Sequence, residues 1–217
     1  MAPARRKARR DVYDLLETWR LDTVDPAANL PLSEALWAEL GTQRAVLISD
    51  LSGFTRITRS HGLLQFLAVF KRAMKLGCAE VERHGGRFLK SDADNLFALF
   101  DSAGAAAACA QAMLGSAAEE NARVPDVAGH VRFCIGLGFG QVLELEDDAF
   151  GDPVNIAFKL GEDVAAAGEI LLSSEAAEDL AASPLPEHQE ASRSLRGPET
   201  VEVGGVSVGY FRLPPRP

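Results

Sequence analysis

The chain has 217 residues, a formal net charge of −9 and 47% hydrophobic residues. This length allows one full domain plus an appendage, and the acidic balance argues against a nucleic-acid-binding surface. No apolar run approaches the ~20 residues that span a bilayer, and the N-terminus lacks the apolar segment of a signal peptide.

The cysteines indicate a reduced, cytoplasmic protein, and the basic cluster and the histidines indicate no DNA-binding or metal site. The basic cluster at positions 5–10 is too short and too local to indicate DNA binding. Cys78, Cys109 and Cys134 are odd in number and scattered through apolar stretches, so we expect reduced core residues. The four histidines show no metal-ligand spacing.

Residues 1–43 are predicted to form a helical extension. Helical periodicity is present in "DVYDLLETWRL", and a second short helix is predicted in "SEALWAELG" after a turn-rich break. From residue 44 the elements follow a regular order. A β-run, "RAVLISD", precedes a long helix with apolar residues three and four apart, "LLQFLAVFKRAMKLGCAEVERHG".

The next elements are two short strands around a polar turn, an alanine-rich helix, and a strand whose glycines permit close approach of another group. A helix from "GDPVNIAFKLGEDVAA", a strand, a short helix and a closing hairpin follow. The order β-α-β-β-α-β predicts an α+β fold, with a ferredoxin-like βαββαβ core, additional C-terminal strands and the N-terminal helical extension. This architecture hosts many unrelated activities, so function depends on particular residues.

Two segments place carboxylates where they can meet. In "LISDLSGFTR", Asp50 ends a buried strand just before a flexible turn. In "LKSDADNLFALF", Lys90, Asp92 and Asp94 lie within five residues, in a hairpin that neighbours the first strand in this topology. Facing carboxylates repel unless a cation lies between them, and oxygen ligands suit magnesium or manganese. The alternatives are a helix cap for Asp50 and a solvated polar turn for the hairpin.

A third segment, "DDAFGDPVNIAFKL", carries Asn155 and Lys159 four residues apart. This spacing puts an amide and an ammonium group on one helix face. Taken alone, the pattern is equally typical of an ordinary exposed helix.

Three segments in this order resemble the catalytic domain of the class III adenylate/guanylate cyclases: "VLISDLSGFTRIT", "HGGRFLKSDADNLFALF" and "FGDPVNIAFKLGEDVAAAGEILLS". The resemblance covers roughly residues 44–213, and we predict a catalytic domain over 44–217. It implies that Asp50 and Asp94 hold two Mg²⁺ or Mn²⁺ ions per active site, while Asp92 is uninvolved.

The same resemblance implies how a nucleotide is recognised. Lys90 and Asp148 match the positions that read the purine, and a Lys/Asp pair suits adenine because lysine donates to N1 and aspartate accepts from the 6-amino group. Asn155 matches the residue that orients the ribose. The backbone amides implied to contact the triphosphate are those of Leu51, Ser52, Gly53, Phe54 and Thr55.

The implied reaction converts ATP into 3′,5′-cyclic AMP and pyrophosphate. One metal ion lowers the pKa of the ribose 3′-hydroxyl, which attacks the α-phosphate, and the other neutralises the phosphates. In this family the metal ligands come from one subunit, and the purine-reading and transition-state residues come from the other. The resemblance therefore implies a head-to-tail homodimer with two shared sites.

Two positions depart from the family pattern. Lys159 stands where an arginine usually stabilises the transition state, and lysine keeps the charge but not the bidentate fork. The closing hairpin, "TVEVGGVSVGYF", has no basic residue where many members carry a triphosphate-binding lysine, although Arg196 lies upstream. Two alternatives stay open: a catalytically silent nucleotide-binding or regulatory module, and a cyclase that uses GTP or a pyrimidine triphosphate. A regulatory partner is expected to act through residues 1–43, for which packing against the dimer is the simpler use.

Overall fold

A computed structural model describes residues 9–216, so most of the basic cluster at positions 5–10 lies outside the described residues. Eight strands form one sheet. They are β1 (Gly41–Leu51), β2 (Arg87–Asp92), β3 (Asn95–Phe100), β4 (Phe133–Glu144), β5 (Ala149–Phe150), β6 (Ile170–Ser173), β7 (Arg196–Val203) and β8 (Val206–Leu213).

Eight α-helices are present in the described residues: α1 (Arg9–Leu16), α2 (Leu30–Leu40), α3 (Phe54–His61), α4 (Leu63–Arg83), α5 (Ala103–Asn121), α6 (Asp152–Phe158), α7 (Ser174–Ala182) and α8 (Pro186–Ser194). Two short 3₁₀ helices cover Pro26–Asn29 and Val127–Gly129. A π-helical segment, Lys159–Val164, continues directly from α6.

The strand order is β2-β3-β1-β4-β6-β8-β7, and the short β5 pairs with β4. The first four strands and their helices form the predicted βαββαβ arrangement, in which β1 lies antiparallel between β3 and β4. The predicted α+β fold is therefore confirmed, with β6, β7 and β8 as the additional C-terminal strands.

Alternating side chains of β1 supply two separate cores. Ala45 and Leu47 pack with apolar residues of α4, α5 and α7 on one face of the sheet. Val46 and Ile48 pack with Val154 of α6 on the other face. This alternation matters for the site, because Asp50 continues the series of Val46 and Ile48 toward the α6 face.

Glycines of β4 let α6 lie directly on the sheet. A Cβ atom at Gly136 would lie 2.1 Å from the carbonyl oxygen of Ala157, and one at Gly138 would lie 2.1 Å from that of Pro153. Any side chain at these positions would push the helix away. The group that approaches the glycine-rich strand closely, as the sequence predicted, is therefore helix α6.

The extension packs on the end of β4. Val12 of α1 and Leu36 and Leu40 of α2 form a small buried cluster with Leu145. Strand β1 begins at Gly41, three residues before the predicted boundary, and the division of the chain at that boundary stays a prediction. No helix in the described residues is long and apolar enough to cross a membrane.

Candidate active site

Asp50 and Asp94 meet at the end of β1. The register pairs Ser49 of β1 with Leu96 of β3, so Asp50 comes opposite Asn95 and beside Asp94, which lies in the tight β2–β3 turn. Burial raises the pKa of the Asp50 carboxyl to about 6, and the nearby Asp94 carboxylate contributes to the rise. The two predicted metal ligands therefore do come together, and their charges interact.

An open cleft of about 570 Å³ contains this pair together with a third carboxylate, Glu162. Asp92 is exposed and does not line it. The remaining lining residues are Leu51, Ser52, Gly53, Phe54, Thr55, Arg56, Cys134 and Ala165. The whole predicted triphosphate-binding turn therefore faces the same space as the two aspartates.

Glu162 is a site residue that the sequence analysis missed. It lies in the π-helical segment and accepts a hydrogen bond from Nδ2 of the buried Asn95. Burial raises the pKa of Glu162, the bond from Asn95 opposes that rise, and the neighbouring carboxylate of Asp163 adds to it. No pattern in the sequence indicated a π-helical turn, so no sequence signal predicted that Glu162 lies near Asp50.

The donor set fits a hard divalent cation. Within residues 9–216, no three histidine, cysteine or acidic side chains form a ready metal-binding cluster. The carboxylates that line the cleft are those of Asp50, Asp94 and Glu162. Magnesium is usually bound through one or two carboxylates, with water and substrate phosphates as further ligands. Two repelling carboxylates in an open cleft match that pattern.

The turn after β1 exposes backbone N–H groups to the cleft. Gly53 adopts the left-handed conformation (φ 104°), and it gives α3 no side-chain cap. The first N–H groups of a helix have no acceptor within the helix, so those of Phe54 and Thr55 are available to an anion. The Ser52 N–H instead donates to the carbonyl of Arg132 (3.0 Å). The Leu51 N–H donates to the Asp50 carboxyl. Two of the five amides expected to contact the triphosphate are therefore already used.

The predicted base-reading residues form an ion pair. Nζ of Lys90 lies 2.9 Å from Oδ2 of Asp148, although the residues are 58 positions apart. The Asp148 side chain is buried, and its other oxygen accepts a hydrogen bond from the Ala149 N–H (3.0 Å). The Lys90 ammonium also lies 5.9 Å from the centre of the Phe97 ring. This arrangement orients both polar groups without a nucleotide.

Asn155 and Lys159 lie one helical turn apart, as the sequence predicted, because Lys159 has helical dihedral angles and its N–H donates to the Asn155 carbonyl oxygen. Asn155 is exposed on α6, whereas Lys159 begins the π-helical segment and pairs with Asp163 at 2.8 Å. Neither residue lines the Asp50 cleft, and neither does the Lys90–Asp148 pair. Within one chain, the predicted site thus falls into two separate halves.

Comparison with known proteins places this geometry in context. No family model matches the chain. A curated adenylate cyclase of Streptomyces coelicolor is 29% identical over 136 residues, which is 63% of this chain and 34% of that protein. The putative adenylate cyclase 3 of Rhizobium meliloti is 30% identical over 134 residues, which is 59% of this chain and 22% of that protein. The chain thus spans only about a third and a fifth of the length of these relatives.

A solved structure gives a longer match. The adenylate/guanylate cyclase/hydrolase from Silicibacter pomeroyi has a TM-score of 0.69 at 21% identity, over 81% of this chain and 98% of that chain. At this identity the likeness shows the fold. The resemblance to the class III adenylate/guanylate cyclase catalytic domain is therefore confirmed, and the chain has the fold of that domain.

Proposed function

We propose that the protein is a nucleotide cyclase that converts ATP into 3′,5′-cyclic AMP and pyrophosphate. One observation carries the proposal: Asp50 and Asp94 lie close together in a cleft that is also lined by the uncapped start of α3. Carboxylates attract cations, and unsatisfied helix N–H groups attract phosphate. A cleft with both groups suits a metal-bound triphosphate, and the names of the two curated relatives support the cyclase reading.

Asp50 and Asp94 would hold two Mg²⁺ or Mn²⁺ ions per active site. When bound, such ions neutralise the triphosphate and make the ribose 3′-hydroxyl more acidic. The N–H groups of Phe54 and Thr55 would orient the phosphates, because both residues line the cleft and the first N–H groups of a helix have no acceptor within it.

The Lys90–Asp148 pair would select adenine. Adenine presents an acceptor at N1, which matches the lysine ammonium, and a donor at the 6-amino group, which matches the carboxylate. Guanine presents a donor at N1 and an acceptor at O6, so both contacts would be mismatched. Because the pair is already formed, little further ordering is needed when the base binds.

The remaining steps follow from the chemistry of cyclisation. The 3′-hydroxyl would pass its proton to water in the open cleft, and its oxygen would form a bond to the α-phosphorus while the bond from that phosphorus to the bridging oxygen breaks and pyrophosphate leaves. Asn155 would orient the ribose through its amide. The Lys159 ammonium would stabilise the charge on the five-coordinate phosphorus, and it would have to exchange its present partner, Asp163, for the phosphate oxygens.

A head-to-tail homodimer would complete each site. In the described residues the base-reading pair and Lys159 lie outside the cleft of their own chain, so a second copy would supply them. Two phenylalanines near the Lys90–Asp148 pair, Phe88 of β2 and Phe150 of β5, are each 40% exposed. Exposed apolar side chains of this size favour a subunit contact.

A catalytically silent nucleotide-binding module is the second candidate. The Lys159–Asp163 ion pair favours this candidate, because the lysine that would stabilise the transition state already has an acidic partner. Residues 1–43 would receive a regulatory partner in either case. Exposed aromatic side chains in that region, Tyr13, Trp19 and Trp37, support a contact of this kind.

Incubation of the purified chain with each of the four nucleoside triphosphates and Mn²⁺, followed by mass-spectrometric product identification, tests the proposal. We expect cyclic AMP from ATP, and no product from the Asp50→Asn variant. If the folded wild-type protein cyclises no nucleotide, the silent-module function takes precedence. Faster turnover of GTP or of a pyrimidine nucleotide would show that the adenine assignment is wrong.

A further inference from the structure

The cleft around Asp50 has a single cationic side chain among the described residues that line it. This side chain is Arg56, and it lines the same cleft as the carboxylates of Asp50, Asp94 and Glu162. Arg56 is the third residue of α3 and is exposed. A triphosphate entering this cleft would therefore meet three acids and one guanidinium group.

The guanidinium of Arg56 lies beside the turn that presents free N–H groups. A Cβ atom built on Gly53 would lie 3.6 Å from an Nη atom of Arg56, so the charged group sits next to the glycine of the turn. The N–H groups of Phe54 and Thr55 follow directly along the chain. Arg56 and these amides together form one positively polarised surface at the edge of the acidic cleft.

Arg56 makes no hydrogen bond or ion pair with any part of the chain that the structure describes. Two other basic residues are engaged: Lys159 pairs with Asp163, and Arg212 pairs with Glu169 and Glu199. A guanidinium readily forms bidentate bonds with a carboxylate, and that of Arg56 forms none within the described residues although three carboxylates line the same cleft. Its charge is therefore available to a ligand.

Arg196 is poorly placed for the same task within its own chain. It lies on β7, and β4, β6 and β8 separate that strand from β1. Four strand spacings of about 4.8 Å put the two strands roughly 19 Å apart. The basic group missing from the closing hairpin is thus not replaced by Arg196 at this cleft.

We propose that Arg56 binds the β- and γ-phosphates of the nucleotide, in the same subunit as Asp50 and Asp94. The inference rests on the proposed function, because it assigns a ligand group to the same cleft. The planar guanidinium can donate two parallel hydrogen bonds to phosphate oxygens. It also faces the group that leaves as pyrophosphate, so it holds the leaving group as its negative charge increases.

Binding of inorganic tripolyphosphate, measured by isothermal titration calorimetry without any turnover, tests this role. We expect Arg56→Ala to weaken tripolyphosphate binding about tenfold, since one charge-assisted bond to a phosphate is lost. Arg56→Lys should weaken it less, because the charge remains. Arg59→Ala is the matched control: Arg59 is exposed one turn further along α3 but does not line the cleft, so its loss should change the affinity less than twofold.

Three results would overturn the assignment. They are unchanged binding in Arg56→Ala, an equal loss in Arg56→Ala and Arg59→Ala, and a shift of Arg56→Ala to monomer at concentrations where the wild type is dimeric. The last result would make Arg56 an interface residue.

The test separates the assignment from the proposed function. If the wild type binds tripolyphosphate through Arg56 but cyclises no nucleotide, the cyclase proposal fails and the assignment stands. If the wild type cyclises ATP, and Arg56→Ala binds tripolyphosphate and cyclises ATP as well as the wild type does, only the assignment of Arg56 fails.

Discussion

Replacing Asp50 by asparagine should stabilise the metal-free protein above pH 6. Burial and the Asp94 charge raise the pKa of Asp50 from 3.8 to about 6 in the folded chain. Between these values the folded state binds more protons than the unfolded state, so the free energy of unfolding falls as the pH rises through this window. Well above pH 6 the loss is complete, and the asparagine variant escapes it because it carries no charge.

The size of the effect follows from the same pKa values. A rise from 3.8 to about 6 corresponds to about 3 kcal/mol as an upper limit. Asp50 is only partly buried, so solvent screening reduces this figure. We expect Asp50→Asn to be more stable than the wild type by on the order of 1–2 kcal/mol at pH 8. At pH 4 or below, the two proteins should have nearly the same stability.

Urea denaturation at pH 4 and pH 8, in EDTA and in Mn²⁺, measures both the repulsion and the metal binding. Asp92→Asn is the control, because it removes the same charge two residues from Asp94 but from an exposed side chain outside the cleft. Manganese should stabilise the wild type and Asp92→Asn by mass action, and it should leave Asp50→Asn unchanged.

The reasoning would be refuted if Asp50→Asn gained no stability at pH 8 in EDTA, or if Asp92→Asn gained as much. Equal stabilisation of the wild type and Asp50→Asn by Mn²⁺ would refute the metal assignment separately.

Three further predictions concern the base, the transition state and the packing of α6. Lys90→Glu should lower kcat/KM for ATP much more than for GTP, and equal losses in a steady-state assay would contradict the adenine assignment. Lys159→Arg should keep or raise kcat, because the guanidinium contacts two oxygens at once, and a loss comparable with that of Lys159→Ala would contradict a transition-state role. Gly136→Ala should destabilise by on the order of 2–4 kcal/mol in urea denaturation, since its Cβ would lie 2.1 Å from the Ala157 oxygen. Gly115→Ala on α5, with no atom within 4 Å of the new Cβ, should stabilise by about 0.5–1 kcal/mol, and comparable losses at both glycines would contradict the packing argument.

The contact between Asp50 and an acid of the β2–β3 hairpin could be predicted from the sequence, but only the resemblance to a known family indicated Asp94 rather than Asp92. Hydrophobic periodicity located the strands, and the βαββαβ order makes β1 and the β2–β3 hairpin neighbours. The Lys90–Asp148 pair was predicted through the same resemblance. The structure brings the two side chains to 2.9 Å, but their role as base readers stays a prediction.

The placement of Glu162 could not be predicted, because it depends on a change of helix geometry. The sequence "NIAFKLGEDV" is typical of a continuous helix, whereas the structure changes from α to π at Lys159. This change directs Glu162 toward Asn95 and the cleft. A periodicity of 3.6 residues contains no signal for such a turn.

Arg56 was overlooked for another reason. It directly follows the turn of residues 51–55 and could have been included with it. What distinguishes it is the absence of a partner among nearby carboxylates, and this depends on the three-dimensional arrangement of Asp50, Asp94 and Glu162. The sequence places only Asp50 and Asp94 near the turn.

Mixing two inactive variants, Asp50→Ala and Lys159→Ala, tests the shared-site cyclase most directly. Each alone should lose most of its cyclase activity, with a loss of ~10²–10³-fold in kcat for Lys159→Ala. In a heterodimer, one site combines the intact Asp50 of the Lys159→Ala subunit with the intact Lys159 of the Asp50→Ala subunit. The other site lacks both residues. After subunit exchange at equal concentrations, cyclic AMP production should recover to about one quarter of the wild-type rate, because half of the dimers carry one intact site. Proven heterodimers without any recovery, or full activity of Lys159→Ala alone, would contradict the account.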